Sequence, residues 1–508
     1  MNLPFSLSQF VGLDGRAGWH RVVCMRARGR AGGGCACACM QDACQLMQRC
    51  LCASVASVGR WCTQRPTECS AGTQIMLGAV CLWLLTATAH AQPVLNSDDT
   101  YKERRARRTS GPSTAGTAQW LDTTEGIHAF LSFDYHMTPE DIAANGSRFD
   151  FVRGASGSTV AQFKAAHPGI ALSAYIPFTR DMHSKNLSWW QLHHPTWIVY
   201  QCDRKTPTFE FGDVNVPLDI GNEAVIEYQL NYTAQMKQQG YDTISFDNFG
   251  TNNNFHACGT FAENGTWLQK WKGTSKDQQY TDTVFWWLRR FSAGVHNQGL
   301  KLMPNFMLGS LKHDDKLVLE IGNLTDGIVS EGGFTDNSAR LLLGDRWEEI
   351  IYFMQNLQSQ GKAYWSINEW GCAGSCGGGH TTATLAQEIA GTYNISRRVR
   401  EWVLASYLIG KGNCSGVYMV CNQCYGIDAY FDEYKAPLGH PLAPGRKNQT
   451  TGMWERDYSN GKVLLWPIAA QGSLRVDLGG KAYTDLYGHP ITEPSIEMLN
   501  GSAKILLT

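Results

Sequence analysis

A (β/α)8 TIM barrel followed by a small C-terminal all-β sandwich is the fold class that the sequence predicts, on three observations. Eight short β-rich runs recur between residues 126 and 425. Amphipathic helical stripes lie between several of them, and past Tyr425 short strands alternate with Gly, Asn and Pro turns. Strands alternating with helices over about 300 residues point to a parallel sheet, closed into a barrel or wound open. The open sheet is the competing arrangement, and no Gly-x-Gly-x-x-Gly or phosphate loop follows any strand to support it as a nucleotide binder.

In chain order, residues 1–75 carry eight Arg against three acids, nine Cys and no apolar periodicity, so they are excluded from the fold. They suit an organelle transit peptide or, preferably, translation from upstream of the true start. Met76 opens an apolar run that closes on Ala89-His-Ala91, the pattern of a signal peptide over 76–91. That run is too short to span a bilayer, and no other stretch approaches the roughly 18 apolar residues required, so no stable membrane insertion is expected. A polar linker at 92–119 holds Lys102-Glu-Arg-Arg-Ala-Arg-Arg108. The barrel is assigned to 120–425 and the β-domain to 426–508.

Secretion has an independent test. Beyond residue 120 nine Asn-x-Ser/Thr acceptors occur, at Asn145, Asn186, Asn231, Asn264, Asn323, Asn394, Asn413, Asn448 and Asn500. Seven cysteines remain there: Cys202, Cys258, Cys372, Cys376, Cys414, Cys421 and Cys424. An oxidising compartment favours disulfides over a zinc site built on Cys372, Cys376, Cys421 and Cys424, although the pairing is not readable. A net charge of −1 points away from nucleic acid and towards a neutral partner. No cofactor or metal is called for, and nothing fixes the oligomeric state.

The barrel strands are expected at 127–133, 149–154, 170–177, 242–248, 300–306, 327–331, 363–369 and 417–420. Val284, Trp287, Leu288, Phe291 and Val295 form one helical stripe. Trp347, Ile350, Ile351, Met354 and Leu357 form another, whose helix begins with Asp345 and Glu348 in capping-box spacing. The longest connections, roughly 178–221, 249–279 and 370–395, follow the third, fourth and seventh strands and emerge on the catalytic face. Their Trp189, Trp190, Trp197, Trp267 and Trp271 are candidate sugar-stacking platforms. The β-domain strands are expected at 463–465, 474–478, 483–486, 496–498 and 504–507, with no chemistry of their own.

Two strand ends carry acids. If Ile244 and Phe246 pack outward, Thr243, Ser245 and Asp247 point into the barrel, which sets Asp247 at the carboxyl end of the fourth strand. Glu331 ends the sixth strand with the same parity. Alternate strands fill one layer, so the two carboxyls should face one mouth at the separation that glycoside hydrolysis uses.

At these residues the chain resembles the glycoside-hydrolase-like barrel families. The resemblance is carried by Phe246-Asp247-Asn248, by Ser330-Glu331-Gly-Gly-Phe334, by His194-Pro-Thr-Trp-Ile-Val-Tyr200 and by Trp454-Glu-Arg-Asp-Tyr-Ser-Asn-Gly-Lys-Val-Leu-Leu465. It covers about 126–508 and is similar in outline to α-galactosidases and endo-α-polygalactosaminidases. It implies a carbohydrate substrate, with Asp247 as nucleophile and Glu331 as acid, although the α-galactosidase group has Asp at the second position. Trp466-Pro467 departs from an expected Asn-Pro. Glu369 is a candidate stabiliser or substitute acid, and His128, Asp134, Arg153, Asn248, Asn305 and Trp365 are candidate substrate contacts. A metal-dependent hydrolase would want two His on the first strand, where only His128 occurs. The expected function is a secreted, retaining glycoside hydrolase; the alternative is a catalytically inactive glycan-binding barrel.

Overall fold

A computed structural model describes residues 120, 122–181, 185–210, 215–336, 340–371, 384–422, 424–469 and 471–508. The predicted extension, signal peptide and linker lie outside these residues, as do Cys372 and Cys376.

Eight parallel strands form one sheet: β1 (Ala129–Ser132), β2 (Phe149–Arg153), β3 (Ala171–Pro177), β4 (Thr243–Asp247), β7 (Lys301–Pro304), β8 (Gly327–Ser330), β9 (Ala363–Trp370) and β10 (Ser415–Cys421). Their order is β7-β4-β3-β2-β1-β10-β9-β8, so every strand neighbours its predecessor in the fold and β10 returns to β1. The sheet closes at its two ends, where Asn305 bridges Val329 in parallel and the Phe306 amide donates to the Val329 carbonyl at 2.8 Å. That closure makes it a barrel and sets aside the open sheet. A short hairpin, β5 (Gly259–Phe261) with β6 (Trp267–Gln269), lies in the connection after β4.

The interior alternates as a period of two requires. Phe246 turns outward onto Trp287 and Phe291 of the helix at Gln278–Asn297, with ring centroids 5.4 and 6.4 Å away. Its neighbours Ser245 and Asp247 therefore face the axis. The predicted stripe of that helix, Val284, Trp287, Leu288, Phe291 and Val295, is wholly buried. Each such side chain contributes about 1.5–3 kcal/mol by leaving water.

The helix after β8, Gly344–Ser359, starts without the predicted capping box. Leu343 is its N-cap, and the Gly344 amide donates instead to the Pro467 carbonyl of the β-domain at 2.7 Å. The orphan donor is met by tertiary contact, so no side-chain cap is needed there.

After β10, residues 426–445 still pack into the barrel core through Phe431, Tyr434 and Leu438. The β-domain sheet begins at β11 (Arg446–Lys447) and continues with β12 (Trp454–Tyr458), β13 (Gly461–Trp466), β15 (Tyr483–Asp485), β16 (Pro490–Ile491) and β18 (Ser502–Leu507), in the order β11-β12-β13-β18-β15-β16. A second sheet pairs β14 (Ser473–Asp477) with β17 (Ser495–Leu499). Strands β13 and β18 alternate cleanly: Val463, Leu465 and Ile505 join the barrel core, and Leu464, Trp466 and Leu506 fill the space under the second sheet. The helix Arg397–Gly410 is sandwiched between barrel and β-domain and is buried on nearly every side. Arg456 finishes it, donating from Nη1 to the carbonyls of Leu408 and Lys411 at 2.8 and 2.5 Å.

Candidate active site

The carboxyl ends of the strands gather around one buried guanidinium. Arg153 closes β2 with its side chain 1% exposed, donating from Nη2 to Asp247 Oδ1 at 3.2 Å and from Nη1 to Glu331 Oε1 at 2.9 Å. Arg153, Asp247 and Glu331 stand on or just after the second, fourth and sixth barrel strands, which fill one layer. The two carboxylates are thus held within the span of one guanidinium fork.

Local sequence explains both acids. Asp247 is followed by Asn248 at φ 56°, a left-handed residue that Asn tolerates and that turns the chain out of the strand. The Asn248 amide then hydrogen-bonds back to the Asp247 carboxylate. Glu331 precedes Gly332 and Gly333, at φ 83° and 44°. A Cβ on Gly333 would stand 2.4 Å from Asn368 Oδ1, so only glycine lets the chain fold back to where the Phe334 amide donates to that oxygen at 2.8 Å.

Asp247 is the better held of the pair. It accepts from Arg153, from Asn305 Nδ2 at 2.7 Å, from the Tyr175 hydroxyl and from the Asn248 amide. Burial pushes its carboxyl upward, but the charge of Arg153 and these donors outweigh burial and hold it below the ordinary carboxylate value. It is therefore ionised at neutral pH. Glu331 has Arg153 as its hydrogen-bond partner among the described residues, and its side chain is 23% exposed against 16% for Asp247. Burial opposes the charge of Arg153, yet Glu331 and Asp247 together drive its pKa above the ordinary value.

Two tyrosines complete the wall. Tyr175 of β3 is pushed upward by burial and by the Asp247 charge, and its proton stays on the hydroxyl that Asp247 accepts. Tyr425, after β10, is raised by burial and by the charges of Glu331 and Glu369, and its hydroxyl is hydrogen-bonded to Glu369. Beside Glu331 opens a cavity of about 340 Å3, bounded by Met307 and Leu308, by Thr335, and by Leu342, Arg346 and Ile350.

Asp247, Glu331, Arg153, Asn248 and Asn305 thus come together at one mouth, and four other candidates fall elsewhere. His128 precedes β1, so it lies at the opposite, amino end of the barrel, with Nδ1 2.7 Å from Asp150 Oδ2 and Nε2 2.6 Å from the Glu125 carbonyl. Trp365 is the third residue of β9, stacked on Phe151 at 4.9 Å inside the barrel and 2% exposed. Asp134 sits after β1 at the right end, but its carboxylate clasps the Ser156 amide at 3.0 Å and the Ser156 and Thr159 hydroxyls. Glu369 is completely buried, so it meets the site through Tyr425 and not a substrate directly.

The loop tryptophans also differ from expectation. Trp190 and Trp271 are buried at 1% and 2%, and Trp189, Trp197 and Trp267 pack with Ile198, Tyr200 and Leu218 into a core belonging to the loops themselves. Long loops need apolar ballast when they lie on the barrel rim. A disulfide between Cys202 and Cys258, with Cα atoms 5.1 Å apart, ties the connection after β3 to that after β4. Cys421 and Cys424 form a second disulfide, and Cys414 is a buried free thiol. Among the described residues no group of His, Cys, Asp and Glu could hold a metal ion, and no helix is long and apolar enough to cross a membrane.

Tyr175, Tyr425 and the pair Phe133 and Tyr135 join the site without being among the residues expected there. Tyr175 carried a usable signal, since Ser173 and Tyr175 alternate with the apolar Ala174 and Ile176. Tyr425 and Tyr135 lie on loops, where no period fixes direction.

No family model matches the chain, and no curated protein matches it. Among solved structures it is similar to a noncanonic maltogenic α-amylase, AmyB, from Thermotoga neapolitana, at 11% identity and TM-score 0.41 over 75% of this chain and 98% of that one. It is similar to the glycoside hydrolase domain of PelA from Pseudomonas aeruginosa at 16% identity and TM-score 0.36, over 60% and 97%. A trehalose-6-phosphate hydrolase from Bacillus licheniformis is similar at 10% identity and TM-score 0.42, over 77% and 100%. The (β/α)8 assignment itself stands on the closed strand order, with the carboxylate pair at the carboxyl end of the strands.

Proposed function

We propose that the protein is a glycoside hydrolase that uses Asp247 as nucleophile and Glu331 as acid and base. The observation that carries this reading is the pair of carboxylates on one buried arginine at the mouth of the barrel. Asp247, ionised and aimed by Tyr175 and Asn305, attacks the anomeric carbon while Glu331 gives its proton to the departing glycosidic oxygen. Water then attacks the glycosyl ester, Glu331 takes the water's proton, and Asp247 leaves as carboxylate. The sugar is thereby released with its anomeric configuration retained. The cavity beside Glu331 is the natural berth for the leaving group, because that side chain supplies its proton.

Asp247→Asn should abolish turnover and keep binding, because the amide preserves shape but forms no ester. Glu331→Gln should lose most activity on poor leaving groups and retain more on activated aryl glycosides, which need little protonation. Wild-type rates on a natural glycan in either variant would remove that residue's role, and an inverted product seen by NMR would replace the ester with a direct attack by water. One observation favours a catalytically silent, glycan-binding barrel: Arg153 neutralises both carboxylates at once. Glycan binding without any hydrolysis by the wild type would decide for that reading.

The protein is further proposed to be secreted and N-glycosylated. Of the nine acceptor asparagines, Asn186, Asn231, Asn264, Asn323, Asn394, Asn413 and Asn448 are exposed, and Asn145 and Asn500 are half-buried. Peptide-N-glycosidase should increase the gel mobility of protein from its native host. Unchanged mobility would count against secretion.

A further inference from the structure

One exposed aromatic ring at the mouth is supported as firmly as a core residue. Tyr135 is 62% exposed, yet it stacks flat on Phe133 with centroids 4.7 Å apart and planes 8° from parallel. Phe133 is in the left-handed region at φ 64°, which costs a residue of its size about 1–2 kcal/mol. Its amide donates to the Arg153 carbonyl at 2.7 Å, and the Arg153 guanidinium lies 5.4 Å from its ring centroid. Tyr175 and Tyr425 meet the Phe133 ring edge-on at 5.0 and 5.8 Å.

Two glycines make room for this stack. A Cβ on Gly154 would stand 2.5 Å from the Phe133 ring, and one on Gly426 3.1 Å from Tyr135 Cβ. The charges of Arg153 and Asp247 both act on the Tyr135 hydroxyl, so the ring lies within the field of the site. Phe133 backs one face of a ring that is still 62% exposed.

We propose that Tyr135 is the platform for the glycone ring of a pyranoside, whose apolar C–H face stacks on the open face of Tyr135 while its anomeric carbon meets Asp247. This rests on the glycosidase reading above. The leaving group belongs beside Glu331, so the retained sugar belongs on the side of Asp247, to which Tyr135 is joined through the rings of Phe133 and Tyr175. A flat ring fixed by packing offers contact area at little cost in side-chain entropy, and an exposed tyrosine free to rotate does not.

The test uses D247N, which holds substrate without turning it over, on an array of pyranose oligosaccharides. In that background Tyr135→Ala and Tyr135→Leu should weaken every captured glycan by about tenfold or more, and Tyr135→Phe should stay within about twofold. Leu keeps apolar bulk, so its failure isolates the flat face. Equal capture by D247N with and without Tyr135→Ala overturns the platform and leaves the glycosidase reading intact. A loss with Tyr135→Phe as large as with Ala also overturns it, because the hydroxyl would then be the contact. No capture of any oligosaccharide by either D247N or the wild type removes the platform and the glycosidase reading together.

Discussion

Arg153 is the residue on which the site's electrostatics turn, and its removal should be costly in two currencies. Arg153→Ala leaves Asp247 and Glu331 facing each other without a counter-charge. Breaking a buried pair of this kind destabilises by about 3–5 kcal/mol, to be read as a lower urea midpoint. Arg153→Lys offers a point charge in place of a fork and should recover stability better than turnover. Tyr175→Phe tests Asp247 separately. Asp247 is held low partly by that hydroxyl, so its loss raises the carboxyl, and the acid limb of kcat/KM should move to higher pH. The sign for stability is the same: a depressed folded value means stabilisation that is present above the unfolded value and lost as pH falls through the folded one. Tyr175→Phe should therefore lose stability at neutral pH. At this scale the sequence was legible where period two holds, as at Asp247 and Glu331, and misleading at His128, which precedes its strand and is bonded to Asp150 and the Glu125 carbonyl.

Elements were legible in proportion to how much of their environment is local. The eight barrel strands fall where alternation and turn residues put them, because each carries its own apolar face. The start of the helix Gly344–Ser359 does not, since its first amide is met by Pro467, more than a hundred residues away and in another domain. Strands β11, β12 and β16 likewise escaped notice. Two of them are two residues long, and β12, Trp454–Tyr458, carries three charged residues in a row, Glu455, Arg456 and Asp457, which hide its alternation. The turn after β8 supports a sharp prediction. Gly333→Ala places a Cβ against Asn368 and the Ile367 carbonyl in a left-handed conformation, at a cost of about 1–3 kcal/mol. Because the turn aims Glu331, kcat/KM should fall by more than tenfold while circular dichroism keeps the barrel's spectrum. A variant with unchanged kinetics would show that Glu331 is positioned from elsewhere.

Across the whole molecule, closure is uneven. Six of the eight junctions are runs of paired strands; the seventh, between β1 and β10, has one register pair, Ala129 with Val417, and the eighth has the bridge between Asn305 and Val329 with the Phe306 and Asp326 amides donating to the Val329 and Leu302 carbonyls. That eighth junction passes directly through the site. Asn305, which steadies Asp247, stands on one bank, and Glu331, two residues beyond Val329, stands on the other. A barrel joined by so few pairs there has a slit along that seam, and the slit is where it should breathe. The Phe306 amide, bonded across it to Val329, should exchange its hydrogen faster than the Ile244 and Phe246 amides within β4, and a bound oligosaccharide that touches both banks should slow it. Asp247 and Glu331 then belong to two banks of one wall, so a ligand that grips both would close the seam as it meets the two carboxylates.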